Sequence, residues 1–118
     1  MQYALLIYAD EKGGLPERLP LDQIEKFRLE AEAVVEEMRR AGVFVSSLRL
    51  TTTDTASTQR VKDNVLLTTD GPFADTKEAL GGLFLIECES MDEARAWAAK
   101  LPMVRLGSIE VRPARPCG

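Results

Sequence analysis

Residues 81–89 read GGLFLIECE, and the absence of alternation in that run decides the fold. A strand with one solvated face alternates apolar and polar side chains, whereas Leu83 through Ile86 are apolar without interruption, the pattern of a strand placed centrally in a sheet or covered on both faces. One other stretch behaves this way, YALLIY at 3–8. VFVSSLRL (43–50) and GSIEVRP (107–113) alternate more and fit edge positions.

Helical stripes separate these strands. Ile24, Phe27, Ala31, Val34, Met38 and Ala41 recur at steps of three and four, with charged residues over most of the remaining surface. Asp22 and Glu25 have capping-box spacing at the start, and Gly42 is placed to end the helix as a C′ glycine. Ser90 and Glu93 repeat the capping spacing before a second stripe of Ala94, Trp97, Ala98 and Leu101, which stops near Pro102. TTTDTASTQ (51–59) has no period and reads as a polar loop. RVKDNVLLTTDG (60–71) reads as a hairpin turning at Asp63-Asn64, two residues that tolerate positive φ.

The order is βαββαβ with an inserted hairpin, a ferredoxin-like α+β plan in a single domain over residues 1–118. Its two helices can cover only one face of the sheet. The other face would expose side chains from both apolar strands, so a second subunit is the expected cover, and two sheets packed face to face would enclose a space between them.

Composition narrows the function classes. With 15 basic and 19 acidic residues the net charge is −4, which disfavours nucleic acid and anionic membranes as partners. A nucleic-acid role on the sheet also lacks the basic and interleaved aromatic residues that RNA-recognition strands carry. MQYALLIYADEK has no basic lead, and no apolar stretch approaches a membrane span, so a cytoplasmic protein is expected. Cys88 lies in an apolar run, where burial raises a thiol pKa, and Cys117 lies near the C-terminus; both are expected as free thiols. There is no histidine, and carboxylates plus two distant thiols make a poor transition-metal set, so neither metal nor cofactor is expected.

TDGPFADTKE (69–78), followed by the strand at 81–89, a capped helix and GSIEVRP, resembles the YCII-related family and in particular its DGPF-domain branch. The opening YALLIYADE resembles that branch's start, and the resemblance covers nearly the whole chain. It implies a ferredoxin-like fold pairing as a dimeric α+β barrel, small cytoplasmic proteins of mostly undefined role, and an association with alternative sigma factors. Members of the wider family often carry a histidine–aspartate dyad, which a chain without histidine cannot form.

The candidate site centres on this same segment, which must pass over the end of the sheet to reach the central strand. Asp70 is either an acid–base group whose pKa is raised at an apolar cavity mouth or a turn residue accepting a backbone N–H. Lys77 is either its electrostatic partner or one half of a solvated pair with Glu78. Thr76 and Glu78 are candidate ligand contacts. Phe73 is expected to plug into the barrel and anchor the loop, and otherwise to touch ligand. Tyr8 donates into a pocket or packs in the core or dimer interface. Arg49 lines the cavity as an anion binder or snorkels off an edge strand. Two function classes follow: a dimeric barrel binding a small anionic or carbonyl-containing molecule, with or without acid–base chemistry, and a non-enzymatic interaction module whose acidic first helix contacts a protein such as a sigma factor.

Overall fold

The structure is a computed structural model that describes residues 1–117. Eight regular elements follow in order: β1 (Gln2–Ala9), α1 (Leu21–Arg40), β2 (Phe44–Arg49), β3 (Ser57–Lys62), β4 (Val65–Asp70), β5 (Ala79–Glu87), α2 (Met91–Lys100) and β6 (Ser108–Ala114). Short 3-10 turns lie at Pro16–Arg18, Thr53–Thr55 and Pro102–Arg105. The main sheet is antiparallel with the order β2-β5-β1-β6, and β3 and β4 form a separate two-stranded sheet. This is an α+β architecture compatible with a ferredoxin-like fold. The two continuously apolar strands are the central pair, and the alternating strands are the edges.

The ladder between β1 and β5 sorts side chains by face. Tyr3 pairs with Ile86 and Leu5 with Phe84, and all four are buried against Val34 and Met38 of α1 and Ala94 and Ala98 of α2. Both helices therefore cover that face. Ala4 pairs with Leu85 and Leu6 with Leu83 on the other face, which neither helix covers. Leu48 joins that open face from β2, and Glu110 and Arg112 from β6. The register shifts between Ile7 and Tyr8, so that Gly81 is the extra residue of a bulge at the start of β5.

Two terminators behave as their chemistry requires. Gly42 takes φ 71 just beyond α1, and Asp63 and Asn64 take φ 52 and 63 between β3 and β4, the both-positive pattern of a type I′ hairpin turn. Other boundaries differ from expectation. Asp22 does not cap α1; Pro20 occupies the cap position with φ −53, and its carbonyl accepts from Gln23 and Ile24 N–H at 2.8 and 3.1 Å. Asp22 sits in the first turn, where its charge still complements the helix dipole. Ser90 does cap α2, accepting from the Glu93 N–H at 3.1 Å, but the Glu93 carboxylate reaches back to Glu89 N–H and not to Ser90. Ala41, expected on the buried stripe, is exposed past the last helical turn.

Cys88 is buried just beyond β5, its Sγ donating to the Ser90 carbonyl at 3.6 Å, and burial pushes its thiol pKa up. Cys117 is exposed. A thiol reagent applied to the native protein is expected to label Cys117 within the mixing time and Cys88 only after denaturant is added, because the thiolate is the reactive form and both burial and a raised pKa suppress it. Equal native labelling of the two would contradict the packing at the end of β5. Among the described residues no helix is long and apolar enough to cross a membrane.

Candidate functional site

The antiparallel pairing of β1 with β5 brings the end of one strand to the start of the other, with Ala9 opposite Ala79. Two charged segments therefore meet at one end of the sheet: Asp10–Lys12, leaving β1, and the 72–79 stretch, entering β5. Together with Thr53 from the turn after β2 they line an open cleft of about 530 Å³.

Each wall is pinned. The Glu11 carboxylate accepts from the Thr53 N–H at 2.9 Å and from its hydroxyl at 2.5 Å, tying the segment after β1 to the turn after β2. Asp10 accepts from the Lys12 N–H at 2.9 Å, and its carbonyl accepts from Gly14 N–H at 2.6 Å, closing a tight loop. On the opposite wall the Thr76 hydroxyl donates to the Glu78 carbonyl at 2.8 Å, and the Glu78 carboxylate accepts from Ser108 at 2.7 Å. Gly71 N–H donates to the Ala56 carbonyl at 2.7 Å, fixing the start of the 72–79 stretch.

The charges facing the cleft are distributed unevenly between structural and free roles. The Glu11 carboxylate is hydrogen-bonded to Thr53 and keeps its negative charge, since both donors are neutral. Lys12 and Lys77 line the cleft and make no ion pair among the described residues, and Asp75 beside Lys77 has no side-chain partner there either. The cleft thus carries three carboxylates, Asp10, Glu11 and Asp75, beside two ammonium groups, Lys12 and Lys77, on a frame held by hydrogen bonds. Such an arrangement offers ammonium donors to an oxygen of a bound molecule and carboxylate acceptors to a donor on the same molecule.

The sequence-predicted residues divide sharply. Thr76 and Lys77 line the cleft. Asp70 does not; it ends β4 opposite Ser57, exposed, and its carboxylate accepts no hydrogen bond among the described residues, so it neither lines the cleft nor fastens the turn. Glu78 is committed to Ser108 behind the wall. Phe73 is 78 % exposed and packs into no core within the single chain, and the expectation that it plugs into the barrel concerns the space between two subunits. Tyr8 points to the open sheet face, its hydroxyl donating to Glu110 at 3.3 Å, and Glu110 in turn accepts from Arg112 at 3.0 Å. Arg49 pairs with Glu17. Partial burial pushes the Glu17 carboxyl up, but a backbone N–H and the Arg49 guanidinium outweigh it and leave the pKa below its ordinary value.

Asp10, Glu11, Lys12 and Thr53 were absent from the sequence-based site, and Asp75 was part of its 70–78 segment without a role of its own. The first three had a legible signal, since ADEK follows one central apolar strand and DTKE precedes the other, and antiparallel neighbours bring those two ends together.

A family model described as YCII-related domain matches residues 1–117. An uncharacterized protein of Rhizobium meliloti (strain 1021) is 37% identical over 115 residues, covering 96% of this chain and 91% of that protein. The chain belongs to the YCII-related family.

Proposed function

We propose that this member of the YCII-related family binds a small anionic or carbonyl-containing molecule in the cleft between Asp10–Lys12 and residues 72–79, in a dimer whose two open sheet faces pack together as an α+β barrel. The observation that carries the binding reading is the pair of lysines without ion-pair partners among the described residues, Lys12 and Lys77, contributed by the two segments that line one cleft. A lysine without an ion-pair partner keeps its donors for a ligand's anionic or carbonyl oxygen, and the carboxylates of Asp10, Glu11 and Asp75 favour a ligand that also carries hydrogen-bond donors. Asp75, which lines the cleft and has no side-chain partner among the described residues, is the carboxylate offered to a donor on the bound molecule, and Asp70 does not line the cleft.

The acidic residues of α1 offer little free charge to a protein partner. Arg28 pairs with Glu25 and Glu32, Arg40 with Glu36, Lys100 with Glu37 and Arg105 with Glu30. The face expected to contact a sigma factor is largely neutralised by its own cations, which favours the cleft reading.

The test is a thermal-shift panel of small carboxylates, phosphates and 2-oxo acids on the parent and on Lys12→Met, Lys77→Met and Asp70→Asn. A ligand at about a hundred times its dissociation constant adds ~2.7 kcal/mol to parent stability. Both lysine variants are expected to fold normally and to lose most of that increment, while Asp70→Asn retains it. An increment unchanged in both lysine variants would contradict the assignment of the cleft.

A further inference from the structure

The β3–β4 hairpin has no core of its own. Its strands pair with each other from Ser57↔Asp70 to Lys62↔Val65 and with no other strand. Val61 pairs with Leu66 toward the tip, yet the two are 66 % and 61 % exposed, and Val65 and Leu67 on the other side of the ribbon are exposed as well. A two-stranded ribbon is marginal in water without a surface to pack on, and four aliphatic side chains on six-residue strands are more than a solvated hairpin requires. The radius of gyration, 16.2 Å against about 13.5 Å for a compact chain of this length, reflects the projection of this ribbon from the body.

Surface area gives the size of the missing partner. The chain exposes 8199 Å², whereas a folded monomer of this mass exposes about 6,400 Å², an excess of roughly 1,800 Å². Ordinary complexes bury ~800 Å² per partner, and obligate dimers considerably more. The excess matches the larger class. What needs covering consists of two surfaces of the same chain, the hairpin and the open sheet face, and two-fold pairing lets each copy supply what the other lacks. Charge agrees: Arg60 and Lys62 on the hairpin have no ion pair among the described residues, and they would approach a body whose net charge is negative.

We propose that the β3–β4 hairpin is a dimerisation arm, reaching from one copy to pack Val61 and Leu66 on the rim of the open sheet face of a second copy of this chain. The inference rests on the dimer reading above but is separable from it, since two sheet faces can also pair without any arm. The arm springs from the cleft as well. Thr53 precedes it and Pro72 follows it, and both line the cleft, so the contact that seats the arm also holds two of the cleft's walls.

The experiment is sedimentation equilibrium of the full chain and of Leu66→Asp and Val61→Asp from nanomolar to tens of micromolar concentration. Both side chains are exposed in the single chain, so the circular dichroism spectrum is expected to stay unchanged while the dimer dissociation constant rises at least about a hundredfold. A parent dimer that dissociates no more readily in either variant overturns the arm and leaves face-to-face pairing standing. A parent monomeric at every concentration overturns both. Amide hydrogen exchange on the unmodified protein supplies a readout free of substitution: protection within β3 and β4 is expected to rise with protein concentration, and exchange there that is independent of concentration overturns the arm.

Discussion

Gly107→Ala is expected to cost about 4 kcal/mol or more and to leave little folded protein. The Cβ added there would lie 2.0 Å from the Tyr8 carbonyl oxygen and 3.1 Å from the Ala9 Cα. Those are backbone atoms of the central strand β1, which cannot swing aside as the end of a long side chain can, so either β1 shifts or the turn before β6 reopens. Losses of this size arise from a short set of causes, and overpacking against backbone that cannot move aside, here at the end of β1, is one. The position matters to the site as well as the fold, because Ala9 leads directly into Asp10–Lys12 on the cleft wall. Gly13→Ala is the control. Its Cβ would meet nothing within 4 Å, and a change within about 0.5 kcal/mol is expected. Urea denaturation of the three proteins decides the matter, and a Gly107→Ala midpoint close to the parent's would refute the packing of the 102–107 turn on β1.

Ile86→Ala is expected to cost about 3–4 kcal/mol. Ile86 is fully buried, flanked in the sheet by Tyr3 on β1 and Phe44 on β2, and belongs to the cluster that α1 and α2 cover with Met38 and Leu101. Deleting three methyl-sized groups there removes their transfer free energy and leaves a cavity that a sheet pinned on both sides cannot collapse. Ile86→Val removes one carbon and should cost about 1 kcal/mol. Because a domain of this size has a total stability of ~5–15 kcal/mol, the Ala variant should retain the fold but melt well below the parent. A loss under about 1 kcal/mol for Ile86→Ala would show that the helices do not close over this face.

The parts of the fold that were legible in the sequence are those where burial imposes a pattern. YALLIY and GGLFLI are apolar throughout because each has one face under the helices and the other in the apolar centre of the open face, and that identified them as central strands. Gly42 and Asp63-Asn64 were legible because positive φ restricts which residues serve. β3 was only half found. Its first residues, Ser57–Gln59, were taken into a polar loop, since a ribbon buried on neither face has no reason to alternate.

The site was less legible, for a related reason. Composition shows which residues are charged but not which charges are already spent. Arg49 resembled an anion binder until Glu17 was found against it, and Glu78 resembled a ligand contact until Ser108 was. Phe73, expected to plug into the barrel, is exposed in the single chain, because the space it was assigned to lies between two subunits. Thr76 and Lys77 were found because the loop that bears them has to cross the end of the sheet whatever its side chains do.

The most direct test of the cleft is a residue-resolved amide NMR titration of the parent protein with the panel member that stabilises it most. The account predicts concentration-dependent shifts centred on Lys12, Thr53 and Asp75–Lys77, with Asp70, Tyr8 and Glu110 unmoved. Shifts confined to Tyr8, Glu110 and Arg112 on the open sheet face, or no shift anywhere across the whole panel, would contradict it.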